Sequence, residues 1–176
     1  MNEKDMQHGI DYDGQDISGW IATQKYDGCR AYWDGENLWS RGGLTINIPD
    51  EWRKVLPQGV HLDGEIYDGP GGVYRCGVAI RYGRFTPTMR FMVFDCPSVP
   101  GDYLTRLESI ALLEGGPLHI VSHKIISDLC MAKDLLAKII KLDGEGLMLR
   151  KPDLKYTPGR TREILKFKEI KLGSRY

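Results

Sequence analysis

Six Asp-Gly dipeptides, at positions 13–14, 27–28, 34–35, 63–64, 68–69 and 143–144, cut the 176-residue chain into short pieces. Asp-Gly suits the tight turn of a hairpin, because glycine takes positive φ at no steric cost and the aspartate side chain bonds back to the turn backbone. A chain divided this often is expected to be dominated by hairpins, and its length suits one compact domain with a sizeable core.

The pieces between the turns read as follows. Residues 1–19 are polar and acidic and are expected to form a loose lead-in. Trp20 to Lys25 begins a strand, Cys29 to Trp33 alternates as a half-buried strand does, and Asp34-Gly35 turns it into a partner at Asn37–Ser40. Asp50 is placed to cap a short helix to Leu56. Val60–Tyr67 and Met89–Asp95 read as strands, and the glycine-rich stretch from Asp68 to Arg84 carries no clear pattern. Helical spacing runs from Tyr103 to Glu114 and again to Leu142 from a cap at Ser127, with Leu129, Ala132, Leu136 and Ile139 as the buried stripe of the second. Gly146–Arg150 and Ile164–Lys168 close the series. The expected fold is α+β, with largely antiparallel sheets and helices packed outside.

Net charge is zero but unevenly placed. Residues 1–20 hold five acids against Lys4, whereas residues 150–176 hold nine bases, among them Lys171 and Arg175, against three acids. That segment is either a field that attracts phosphates or a solvated basic tail. Cys29, Cys76, Cys96 and Cys130 form no CxxC pair and no zinc spacing, which fits reduced thiols. No apolar run approaches the ~18 residues of a membrane span, so the expected location is the cytoplasm, or the nucleus in a eukaryote.

Three of the Asp-Gly turns have a chemically capable neighbour: Lys25 before the second, Glu65 after the fourth, Glu145 after the sixth. With the late pair Lys166 and Lys168, these residues suit attack by an amine on a nucleotide α-phosphate. An amine attacks only when neutral, and a reference pKa of ~10.4 sets a cost of roughly 4–5 kcal/mol on deprotonation near pH 7. Burial, flanking cations or a divalent ion held by Glu65 and Glu145 would each lower that cost. Taken singly, each of these residues is as readily one half of a surface ion pair.

Their order resembles the covalent nucleotidyltransferase superfamily of ATP-dependent DNA ligases, mRNA capping enzymes and RNA ligases, whose catalytic domains are ATP-grasp-like. Lys25-Tyr26-Asp27-Gly28 with Arg30 resembles motif I, Ser40-Arg41-Gly42-Gly43 motif Ia, and Asp63-Gly64-Glu65-Ile66 motif III. Phe91 to Asp95 resembles motif IIIa, Glu145 to Arg150 motif IV, and Leu165-Lys166-Phe167-Lys168 motif V. The resemblance covers residues 20–171. Asp27, Glu145 and the run through Lys151-Pro152 to Tyr156 and Gly159-Arg160 are most similar to small DNA ligases of viruses, phages and bacteria.

The resemblance implies that Lys25 takes AMP from ATP as a phosphoramidate, passes it to the 5′-phosphate of a nick in double-stranded DNA, and releases it when the neighbouring 3′-hydroxyl attacks. It implies Thr23 at the adenine edge, Phe94 stacked on the base, and Arg41 and Glu65 at the ribose. It further implies Arg30 near the AMP and nick phosphates, and Lys166 and Lys168 on the α-phosphate. Glu65 and Glu145 would be the metal ligands, for magnesium or manganese. The expected enzyme is a monomer working in DNA repair, replication or recombination. The alternatives are an RNA ligase, a capping guanylyltransferase, or a nucleotide- and DNA-binding module that is inactive without a further domain. Family ligases follow motif V with an OB-fold domain. The chain ends eight residues after Lys168, so residues 1–176 are expected to be an adenylation domain alone.

Overall fold

The computed structural model describes residues 2–113 and 115–169. Lys171 and Arg175 of the basic C-terminal segment lie outside the described residues. Two five-stranded sheets form the frame. The first has the order β1 (Gln7–Asp11), β10 (Gly159–Phe167), β9 (Gly146–Arg150), β2 (Ile21–Lys25), β8 (His123–Ile125). The second runs β4 (Leu38–Ser40), β3 (Cys29–Trp33), β5 (Leu62–Tyr67), β6 (Arg90–Asp95), β7 (Leu118–Ile120). The pairs β1–β10 and β6–β7 are parallel, and the other strand pairs are antiparallel.

Alternation along each strand decides what the cleft between the sheets receives. In the first sheet Ala22, Leu147, Leu149, Leu165 and Phe167 pack against helix α4 (Leu129–Ile140) through Ala132 and Leu136. The other face then presents Thr23, Lys25, Met148, Arg150 and Lys166. In the second sheet Ala31, Trp33, Leu62, Ile66, Phe91 and Val93 enter the larger core with Trp52 of α1 (Asp50–Val55), Cys76 and Ala79 of α2 (Val73–Tyr82), and Tyr103 and Leu107 of α3 (Tyr103–Ser109). The opposite parity carries Arg30, Asp63, Glu65 and Phe94. Among the described residues no helix is long and apolar enough to cross a membrane.

Several elements differ from the sequence expectation. The lead-in is not loose: Met6 and Gln7 are buried, and β1 docks beside β10. Asp50 is the first helical residue of α1 rather than its cap; Pro49 holds the N-cap position and makes no side-chain cap bond. The cap of α4 is Asp128, whose carboxylate accepts from the Met131 N–H at 2.8 Å, while Ser127 donates its hydroxyl to Asp128. Leu129 stays 37% exposed, so the buried stripe of α4 starts at Ala132. The segment from Asp68 to Arg84 contains helix α2, and α3 stops at Ser109 rather than at residue 114.

Candidate nucleotide-binding site

The cleft between the sheets has a volume of about 850 Å³ and is lined by Thr23, Lys25, Arg30, Arg41, Glu65, Phe94 and Lys166 among others. Glu145 lies just beyond, lining a smaller hollow of about 110 Å³ that shares Lys25 with the main cleft. Lys168 reaches this centre by bonding to Glu145. The expected residues therefore converge, although they come from opposite sheets and are up to 145 positions apart in the chain.

Lys25 ends β2 opposite Gly146, which begins β9. Its Nζ donates to Glu145 Oε2 at 2.5 Å, and Lys168 Nζ donates to the other carboxylate oxygen. Burial works to raise the Glu145 carboxyl, but the hydrogen bonds from Lys168 and Lys25 outweigh it and hold it below its ordinary value. Lys25 is thus held as one end of a Lys-Glu-Lys bridge. The preceding turn brings Asp143 into the left-handed region at φ 57°. The turn after Lys25 needs its glycine for space: a Cβ on Gly28 would stand 2.1 Å from the Ile66 carbonyl oxygen.

Arg30 is fixed by Asp63, a fully buried carboxylate. Nε donates to Oδ1 at 2.6 Å and Nη2 to Oδ2 at 2.7 Å, while Tyr156 adds its hydroxyl to Oδ2 at 2.7 Å. Burial opposes the Arg30 charge, but Asp63 outweighs it and keeps the group protonated. Glu65, half-buried across the pair Arg30↔Glu65, behaves in the opposite way. Burial pushes its carboxyl up to about 7, against the lowering influence of Arg30 and Lys25. Phe94 is flanked by the guanidinium groups of Arg30 and Arg150, at 4.7 and 4.8 Å from the ring centre. Arg41 pairs at the cleft mouth with Glu3, and Thr23 accepts at Oγ1 from Arg150 at 3.1 Å.

Among the described residues no three or more His, Cys, Asp or Glu side chains come together to hold a metal ion. Glu65 and Glu145 stand on either side of Lys25, and Glu145 is engaged by two lysines. One or two carboxylates is nonetheless the protein share that magnesium takes when substrate phosphates and water supply the rest.

The sequence reading missed the support around Arg30. Asp63 and Tyr156 were visible only as members of their motifs, and a polar pair that becomes one buried network leaves no periodic signal. Gln7 was missed altogether. It is 3% exposed, its backbone carbonyl accepts from Arg30 Nη2 at 3.1 Å, and its side-chain Nε2 donates to the Lys155 carbonyl at 3.0 Å. Arg150 stood in the sequence as the last residue of a strand and of the motif IV resemblance, with no role of its own.

Residues 85–168 match the family model described as ATP dependent DNA ligase domain. A DNA ligase of Haemophilus influenzae is 29% identical over 163 residues, covering 89% of this chain and 60% of that protein, so the chain spans about 60% of the curated relative's length. Among solved structures, one from a structure-function analysis of Lig E DNA ligases, described as DNA binding with a minimal scaffold, superposes with a TM-score of 0.83 at 26% identity over 93% of this chain and 68% of that one. Chlorella virus DNA ligase-adenylate superposes with a TM-score of 0.78 at 22% identity, over 93% and 68% of the two chains, a likeness of fold. The ordered motifs meet in one cleft, and the likeness to ATP-dependent DNA ligases extends over nearly the whole chain, with residues 85–168 matching the ligase domain model itself.

Proposed function

We propose that the chain is the adenylylating catalytic core of an ATP-dependent DNA ligase, with Lys25 as the AMP carrier. The observation that carries this reading is the placement of Lys25 Nζ, bonded to Glu145 where the main cleft meets the smaller hollow. ATP lies in the cleft with its α-phosphate toward Lys25. The Lys25 amine, freed from Glu145 and relieved of its proton, forms a bond to the α-phosphorus, and the bond to the pyrophosphate oxygen breaks. Lys166 and Lys168 stabilise charge on the α-phosphate. Thr23 and Phe94 hold the base, and Arg41 and Glu65 hold the ribose.

Glu65 and Glu145 would hold a magnesium or manganese ion with the phosphates, which when bound offsets their negative charge. AMP then passes to the 5′-phosphate of a nick in duplex DNA beside Arg30, and attack by the 3′-hydroxyl closes the strand and releases AMP. The enzyme works as a cytoplasmic monomer in DNA repair, replication or recombination.

Incubation with α-labelled ATP and magnesium followed by denaturing electrophoresis tests this reading. ATP is expected to leave label on the protein, and added nicked duplex to remove it as AMP is transferred. Labelling by GTP in preference to ATP, or transfer to nicked RNA alone, would replace it with the guanylyltransferase or RNA ligase alternative.

A further inference from the structure

Tyr156 closes a ring of hydrogen bonds around Arg30. Arg30 Nη2 donates to the Gln7 carbonyl at 3.1 Å and to Asp63 Oδ2 at 2.7 Å. The Tyr156 hydroxyl donates to the same Asp63 oxygen at 2.7 Å and accepts from the Gln7 N–H at 3.4 Å. The four members come from β3, β1, β5 and the segment 151–158 between β9 and β10. The Gln7 side chain ties that segment a second time, donating to the Lys155 carbonyl at 3.0 Å. Burial first, and then the charge of Asp63, push the Tyr156 hydroxyl far up, so it remains a donor at neutral pH. Asp63 alone would neutralise Arg30; the ring adds direction.

Direction matters because of what the ring leaves free. A guanidinium carries five N–H groups in one rigid plane. Nε donates to Asp63 Oδ1 at 2.6 Å and Nη2 uses both of its hydrogens inside the ring, so among the described residues the two hydrogens of Nη1 are the ones without a protein acceptor. Arg30 lines the cleft, and with Nε and Nη2 fixed the plane leaves Nη1 no freedom to turn. We propose that Tyr156, acting through Asp63, is a positioning residue that aims Arg30 Nη1 at the 5′-phosphate of the nick. The proposal rests on the ligase reading above. In the step it serves, an oxygen of the 5′-phosphate bonds to the phosphorus of AMP, the phosphorus–nitrogen bond to Lys25 breaks, and the lysine nitrogen leaves with a proton taken from water. A charged donor held in one direction keeps the attacking phosphate in line, and a small tilt of that donor slows the step.

The test separates two chemical steps in wild-type protein and in Tyr156→Phe, which keeps the aromatic ring and loses only the hydroxyl. Labelling of Lys25 by ATP reads the first step, and transfer of AMP from isolated labelled protein to nicked duplex in a single turnover reads the second. Tyr156→Phe is expected to slow transfer about tenfold more than labelling, as loss of one hydrogen bond to a charged group implies. In an Arg30→Ala background the same change should add nothing to the loss in transfer, because the aimed group is gone. A merely structural role would leave the ratio of the two rates at its wild-type value, or would add its full loss in the Arg30→Ala background; either result overturns the proposal. If Tyr156→Phe does not fold, Gln7→Met decides. It removes the tie to Lys155 and should slow transfer about threefold more than labelling, and equal slowing overturns the proposal. If wild-type protein takes no label, the ligase reading fails, and fluorescence anisotropy with 5′-phosphorylated and 5′-hydroxyl nicked duplex then decides the role of Tyr156. Wild-type protein should prefer the 5′-phosphate and Tyr156→Phe should lose that preference; a preference that is unchanged in the variant, or absent from the wild type, overturns the proposal.

Discussion

At the scale of single residues the cleft holds two glutamates with opposite electrostatic fates. Glu145 is kept ionised by two ammonium groups, whereas Glu65 is pushed up to about 7 by burial that Arg30 and Lys25 only partly offset. In the ligand-free protein the Glu65 shift is a stability cost with a definite pH window. The folded carboxyl binds protons more tightly than the ordinary value of 4.5, so the cost is absent below that pH, grows as pH rises, and is complete above about 7. Glu65→Gln should therefore raise the melting temperature at pH 8, by an amount equivalent to about 1–3 kcal/mol, and change it little at pH 4.5. Equal shifts at both pH values would show that Glu65 is not held neutral by the fold. Lys25, Glu65 and Glu145 were legible in the sequence because each stands beside an Asp-Gly turn. Their electrostatic states were not, since these depend on strands that approach from elsewhere in the chain.

Among the elements, the β3–β4 hairpin shows how much one turn aspartate organises. Asp34 Oδ1 accepts from the N–H groups of Glu36 at 2.9 Å and Asn37 at 2.7 Å, and Oδ2 accepts from Trp39 Nε1 at 2.6 Å. Burial works to raise its carboxyl, but these donors lower it below the ordinary 3.8. The stabilisation is thus fully present above that value and is lost as pH falls through the depressed folded value. Asp34→Ala should cost about 2 kcal/mol near pH 7, measured by urea unfolding, and the gap from wild type should narrow in acid. A gap that widens in acid would contradict this account of the turn.

This hairpin was readable because its signals are local. Helix α2 was not, because Gly72 and Gly77 weaken any helical pattern and the helix is held by Cys76 and Ala79, both fully buried under β3 and β5. Strand β1 escaped for a similar reason: its place is set by pairing with β10, about 150 residues later, and its polar residues gave no sign of burial. The cap of α4 was missed by one position because Ser127 and Asp128 are both competent caps, and only the backbone geometry selects Asp128.

For the whole molecule, the two sheets are the two walls of one cleft, and the alternation of each strand delivers chemistry to it while burying a core behind. The antiparallel-rich α+β fold was legible from turns and alternation, but the pairing of strands into two sheets rests on contacts that no local pattern records. Charge follows the same logic. The chain is neutral overall, yet Arg160 and Lys166 line the cleft from β10, and Arg162 is exposed between them. If duplex DNA lies along this wall, binding should weaken steeply with salt. The double variant Arg160→Ala, Arg162→Ala should then reduce the slope of log K against log salt by up to about 2, as read by fluorescence anisotropy. An unchanged slope would move the DNA to another face.

The proposed adenylylation depends on Lys25 being the residue that carries AMP. The most direct measurement is peptide mass mapping of protein incubated with ATP and magnesium. The account predicts a mass increment of one AMP on the peptide containing Lys25, absent from Lys25→Ala and strongly reduced in Glu145→Ala. An AMP adduct on any other residue that persists in Lys25→Ala, or no adduct on the wild-type protein, would contradict it.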